Sequence, residues 1–243
     1  MRPARLRSLA VLATTVCALA GAAVLPVTPA PGSGDPDAAV TEMIRRVVEA
    51  PEVTSRMVIE RSDPFGGPPD RERGRLWYLP GRGLRYRSDG RGGQDVVLDR
   101  ELDAFLLYSP SDKVIYRAAF ARAPATLRRL VAEPEKVLRT SFRAISERRR
   151  VQGVFRSGYR LKRTALGDSL PEVSMWIADD PTSGLPRWLS IVSDADSVLI
   201  ELPDLTVRGA AKPSDLKLSA PKGTTEEPLD PREFLERGSG ESR

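Results

Sequence analysis

Gly74-Arg75-Leu76-Trp77-Tyr78-Leu79-Pro80-Gly81-Arg82-Gly83-Leu84-Arg85-Tyr86 decides the fold class. Two runs rich in apolar and aromatic residues flank Pro80-Gly81-Arg82-Gly83, four residues that favour a turn, so Gly74 to Leu79 and Leu84 to Arg87 are expected to form a hairpin. Upstream, Asp63 to Asp70 is a loop by its proline and glycine content. Before it Val53, Ser55, Met57 and Ile59 alternate with Thr54, Arg56 and Glu60, the period of a strand with one buried face. Further back, Asp35-Pro36-Asp37 caps a helix in which Val40, Met43, Ile44 and Val47 share a face until Pro51 ends it. Downstream, Asp95–Leu98, Phe105–Tyr108 and Val114–Arg117 continue a meander with turns such as Ser109-Pro110-Ser111-Asp112. Between Pro124 and Arg139 helical spacing returns at Leu127, Leu130 and Val131, then at Val137 and Leu138 after a break at Pro134, which predicts one or two short helices crossing the sheet. Seven further strands are expected: Phe142–Ile145, Gly153–Phe155, Tyr159–Arg163, Val173–Ile177, Arg187–Val192, Val198–Leu202 and Leu216–Ala220. Asp194-Ala195-Asp196-Ser197 supplies a tight turn. The class is therefore α+β, with one large antiparallel sheet.

The 243-residue chain divides into four parts. Residues 1–30 read as a secretory signal: Arg2, Arg5 and Arg7 precede the apolar stretch Leu9–Leu25, and a cleavage site is expected between Ala22 and Ala30. The alternatives are an uncleaved anchor and lipid modification at Cys17, the latter disfavoured by Thr14-Thr15-Val16 ahead of the cysteine. Residues 31–36 are a linker, 37–223 one domain, and 224–243 a flexible polar tail. There is no histidine, and Cys17 is the one cysteine. Ser-His-Asp and Cys-His engines, histidine zinc sites and disulfides in the domain are thereby excluded. Asp194, Asp196 and the pair Asp179-Asp180 belong to turns, where aspartate bonds its own backbone, so neither catalysis nor a metal is expected from them.

The net charge of +5 arises from arginines in groups such as Arg45–Arg46, Arg71–Arg75, Arg128–Arg129 and Arg148–Arg150. Such groups form a solvated surface or attract anionic lipid headgroups. No nucleic-acid partner is expected, because aromatic residues are not interleaved with the basic runs. Several strands are bulky on both faces, as in Ala104-Phe105-Leu106-Leu107-Tyr108 and Val173-Ser174-Met175-Trp176-Ile177. A two-layer sandwich core and a curved sheet with an apolar receiving face both account for that pattern.

The order of elements, together with three stretches, resembles the periplasmic lipoprotein carriers of the outer-membrane lipoprotein carrier family (LolA-like). They are Gly74–Tyr86, Val97–Pro110, and Gly184-Leu185-Pro186-Arg187-Trp188 continued through Asp194, Asp196 and Ile200 to Leu216–Gly223. The resemblance implies an incomplete β-barrel with an N-terminal helix and a short helical lid over an apolar cavity. It implies no cofactor and no enzymatic activity, and a monomer, periplasmic or otherwise exported, that shields acyl chains of lipoproteins or other lipids between an inner-membrane donor and an outer-membrane acceptor. A lipid-sensing or protein-binding envelope module on the same fold is the alternative. Cavity candidates are Met57, Ile59, Trp77, Leu84, Phe105, Leu107, Met175 and Trp176; lid or headgroup candidates are Arg82, Arg85, Leu127 and Leu130. Where members of the family carry an arginine just before the proline of the first stretch, this chain has Leu79.

Overall fold

Asp35 holds the start of the first helix: its carboxylate accepts the Asp37 N–H at 3.0 Å, and Pro36 occupies a first-turn position where its missing N–H costs nothing. In the computed structural model, which describes residues 34–63, 65–79, 82–90, 93–122, 134–164, 174–192, 197–207, 212–218 and 220–228, this helix α1 spans Pro36–Val48. It buries Val40, Met43, Ile44 and Val47, the four residues of the expected face.

Among the described residues twelve strands form one unclosed sheet in the order β12-β6-β5-β4-β3-β2-β1-β11-β10-β9-β8-β7. The first six are β1 Val53–Arg61, β2 Asp70–Leu79, β3 Gly83–Ser88, β4 Asp95–Asp99, β5 Ala104–Ser109 and β6 Val114–Ala119. A 3-10 turn, Phe120–Arg122, follows. Helix α2, Pro134–Ser141, leads into β7 Phe142–Val151, β8 Val154–Arg163, β9 Ser174–Asp179, β10 Pro186–Val192 and β11 Ser197–Glu201. The chain closes with a 3-10 turn, Pro213–Leu216, and β12 Thr225–Pro228. Two meanders of sequential neighbours are joined where β1 pairs antiparallel with β11, Ile59 opposite Ile200. The result is an incomplete barrel of the α+β class.

The ladders give the sheet two distinct faces. Ile59 opposes Ile200 and Met57 opposes Gly74; Leu84 opposes Leu98, which opposes Phe105; Leu189 opposes Ile177, which opposes Tyr159. All of these residues but Gly74, with the buried side of α1, belong to one apolar cluster fed by every strand from β1 to β11. That cluster marks the inner face of the barrel.

Helix α2 begins at Pro134, a first-turn proline, in keeping with the expected break there; residues 124–133, with Leu127 and Leu130, lie outside the described residues. Three expectations are corrected. Phe142–Ile145 and Gly153–Phe155 are parts of two ten-residue strands joined by Gln152-Gly153, whose φ values of 49° and 84° make the tight two-residue hairpin turn. The charged run Ser146 to Arg150 hid the continuity because it supplies no apolar alternation. The described residues Leu216, Lys217 and Leu218 form no strand: Asp215 accepts the Lys212 N–H at 2.7 Å and turns the chain into the 3-10 turn. Finally, Thr225–Pro228 at the start of the polar tail pair parallel with Val114–Arg117, and Arg117 meets Glu226 at 3.2 Å.

Candidate functional site

The inner face gathers six of the eight cavity candidates. Met57, Ile59, Leu84, Phe105, Leu107 and Met175 all lie in its apolar cluster, beside Tyr86, Val96, Ile177 and Leu189. Burial raises the pKa of the inner-face hydroxyls of Tyr86, Tyr116 and Tyr159, aided by the carboxylates of Glu72, Asp112 and Asp179 respectively, so these tyrosines are neutral. At one end of this face Arg61 lies 3.6 Å from both Asp70 and Glu72, and the Tyr86 hydroxyl donates to Glu72 at 3.0 Å.

Trp77 and Trp176 stand on the other face, and alternation requires it: Trp176 follows Met175, and neighbours along a strand point to opposite sides. Trp176 joins Val151, Ala178 and Trp188 in a small buried cluster, and Trp77 packs on Leu79 and Leu216. Each outer cluster has its own cover. The 3-10 turn lies over Trp77, with Leu216 buried. The far half of the β7–β8 hairpin folds across the outer face: the Trp176 indole donates to the Glu147 carbonyl at 3.4 Å, the Arg156 guanidinium lies 3.8 Å from the centre of the Trp188 ring, and Gln152 donates to Glu201 at 3.2 Å. Gly158 permits that bend, since a Cβ there would meet the Ile177 carbonyl and the Trp176 ring at 2.6 Å. A glycine within the strand was the one sequence signal for this close approach. Double-sided bulk in the strands therefore has a local cause on the outer face, two short straps, and a global one on the inner face.

Arg82 and Arg85 are occupied far from α1. Arg82 sits 2.9 Å from Glu101 and 3.8 Å from Asp99. Arg85, on the outer face and 8% exposed, donates through Nε to Asp95 at 2.7 Å and through Nη2 to the same carboxylate. Its Nη1 donates to the carbonyls of Asp215 at 3.0 Å and Lys217 at 2.9 Å, and its guanidinium lies 5.6 Å from the Trp77 ring centre. Arg85 thus pins the 3-10 turn to the outer face.

Where α1 meets the sheet there is one open cleft to describe, lined by Val40, Ile44, Phe142, Ala144 and Leu161, with Asp37, Thr41 and Arg139 at its polar side. Its cavity volume of about 20 Å³ is room for a single water. Helix α1 is held there by few polar contacts. The Asp37 carboxylate accepts the Ala144 N–H at 2.6 Å and lies 3.2 Å from Arg143, and Arg46 donates to the Ser183 carbonyl at 3.2 Å. Glu42 has its pKa lowered by the hydrogen bond from Arg45 on the same helix. Among the described residues no group of three or more acidic, histidine or cysteine side chains could hold a metal ion, and no helix is long and apolar enough to cross a membrane.

No family model matches the sequence, and no curated protein matches it. Solved structures do. An uncharacterized conserved protein from Thermus thermophilus is similar at 12% identity and a TM-score of 0.48, over 79% of this chain and 99% of that one. MucB is similar at 14% identity and 0.46, over 79% of this chain and 65% of that one. A LolA superfamily protein from Nitrosomonas europaea is similar at 8% identity and 0.40, over 74% and 96%.

Proposed function

We propose that this protein is an exported, non-enzymatic lipid carrier that shelters acyl chains of lipoproteins or other lipids on the inner face of its open barrel while they cross the cell envelope. The observation that supports the reading is that this face is continuous and apolar across eleven strands, and that one helix with few polar tethers seals it at the β7 side. Lipid enters when α1 lifts. Lifting exposes Val40, Met43, Ile44 and Val47, at roughly 1.5–3 kcal/mol each, or about 6–12 kcal/mol in all. A buried methylene returns about 0.8 kcal/mol, so the ligand must bury on the order of 8–15 methylenes. That is most of a membrane-lipid acyl chain; short-chain acids fall below it.

The test is native mass spectrometry of the exported chain purified without detergent. A stoichiometric acyl species is expected, displaced by a long-chain lipopeptide and untouched by one with a chain of about eight carbons. A ligand-free protein that takes up neither would overturn the reading and favour the protein-binding module.

A further inference from the structure

The β7–β8 hairpin carries more net positive charge than the rest of the chain together. Between Phe142 and Arg163 stand eight arginine and lysine side chains against the single carboxylate of Glu147, a surplus of seven where the whole chain has a net +5. Glu147 is already taken up by Arg160 at 3.1 Å. Among the described residues no carboxylate lies in ion-pair range of Arg148, Arg149, Arg150 or Lys162.

Geometry then selects which of these charges face outward. Because the hairpin folds over Trp176 and Trp188, the side of it that would continue the inner face is turned to solvent. Arg148, Arg150 and Phe155 project from that side, all exposed. Phe155 is 63% exposed and Val154, next to the turn, 54%. The Arg148 guanidinium lies 5.8 Å from the Phe155 ring centre, and Arg150 donates to the Gly153 carbonyl at 3.2 Å, which holds both guanidiniums beside the apex. A solvated basic surface has no need of a phenylalanine and a valine at its apex.

We infer that the tip of this hairpin is a docking surface for an anionic lipid bilayer: Arg148 and Arg150 engage headgroup phosphates while Phe155 and Val154 enter the interfacial layer. An aromatic and an aliphatic residue ringed by unneutralised guanidiniums is the composition of interfacial membrane anchors. The convex two-residue turn suits insertion into a flat, deformable surface, whereas an acidic peptide would be met by the charges alone. This docking does not rest on the acyl-chain reading, since the tip and the inner face are on opposite sides of the sheet.

Vesicle flotation of the full chain tests it, comparing phosphatidylcholine vesicles with vesicles containing about one third phosphatidylglycerol. Arg2, Arg5 and Arg7 with the apolar Leu9–Leu25 stretch are the same in every variant, so the difference between variants on the anionic vesicles reads the hairpin. Binding is expected to favour the anionic vesicles and to weaken with salt. Arg148→Ala with Arg150→Ala should lower that affinity about 30-fold, at roughly 1 kcal/mol per charge, whereas Arg71→Ala with Arg73→Ala on β2 should change it less than about threefold. Phe155→Ala, at a solvent-facing site, should leave the melting temperature unchanged and weaken the binding that survives high salt. Equal binding to both vesicles, or an equal loss from the two double variants, overturns the inference. The lipid-loading experiment is unaffected by either result.

Discussion

Replacing Arg85 by methionine removes the donor side of the best-buried ion pair among the described residues. Three of its nitrogens make four hydrogen bonds, two to Asp95 and two to the carbonyls of Asp215 and Lys217, and both side chains of the pair are nine-tenths buried. Methionine fills much of the same volume, so the loss is electrostatic. The Asp95 carboxylate stays buried without its cation, a situation that costs about 3–5 kcal/mol. That is a large part of the 5–15 kcal/mol available to a domain, and it should lower the melting temperature by on the order of 10 °C. The two carbonyls also lose their donor, so the segment around Lys217 should become a site of limited trypsin cleavage in Arg85→Met while the sheet stays intact. Asp95→Asn alone should destabilise by a similar amount, and the double variant by clearly less than the sum, because each single change strands one charge that the double change removes. Urea unfolding of the four proteins gives the coupling. Additive losses, or an Arg85→Met protein within about 1 kcal/mol of the parent, would refute the view that this pair fastens the 3-10 turn.

Two further outcomes are expected. Gly158→Ala should cost about 1–3 kcal/mol and red-shift the tryptophan emission, since the new Cβ must displace the Ile177 carbonyl or the Trp176 ring; unchanged stability and emission would show that the hairpin does not bend there. Tyr86 has its pKa raised above the ordinary value near 10, by burial first and by the Glu72 carboxylate second, so the stability it contributes is whole below about pH 10 and is lost as pH rises toward the folded-state value. Tyr86→Phe should therefore be less stable near neutrality but fall less steeply above about pH 10, and parallel melting curves across that range would contradict this.

The inner face could be read in advance where alternation was clean, in β1 and in the hairpin of β2 and β3. It could not be read where both neighbours along a strand are large. Met175 and Trp176 look equally suited to a cavity, and only the ladder to Leu161 and Ile191 on one side and Arg160 and Ser190 on the other assigns them. The straps were invisible for different reasons. A run of arginines in β7 has no period to detect, and the bonds from Arg85 to Asp215 and Lys217 join residues far apart in sequence. Helix α1 was legible because its cap, its proline and its apolar spacing agree.

The pairing of β1 with β11 also governs the order in which the protein can assemble. β1 through β6 close on their neighbours, and so do β7 through β11, by short connections that form early. The seam between the halves needs Val58–Arg61 to find Val198–Glu201, so one edge of β1 waits open until nearly the whole chain has emerged. Until then that edge is a sticky strand with Met57 and Ile59 behind it. The slow event in refolding should be the closing of this seam, and a chain truncated before β11 should aggregate instead of surviving as half a barrel.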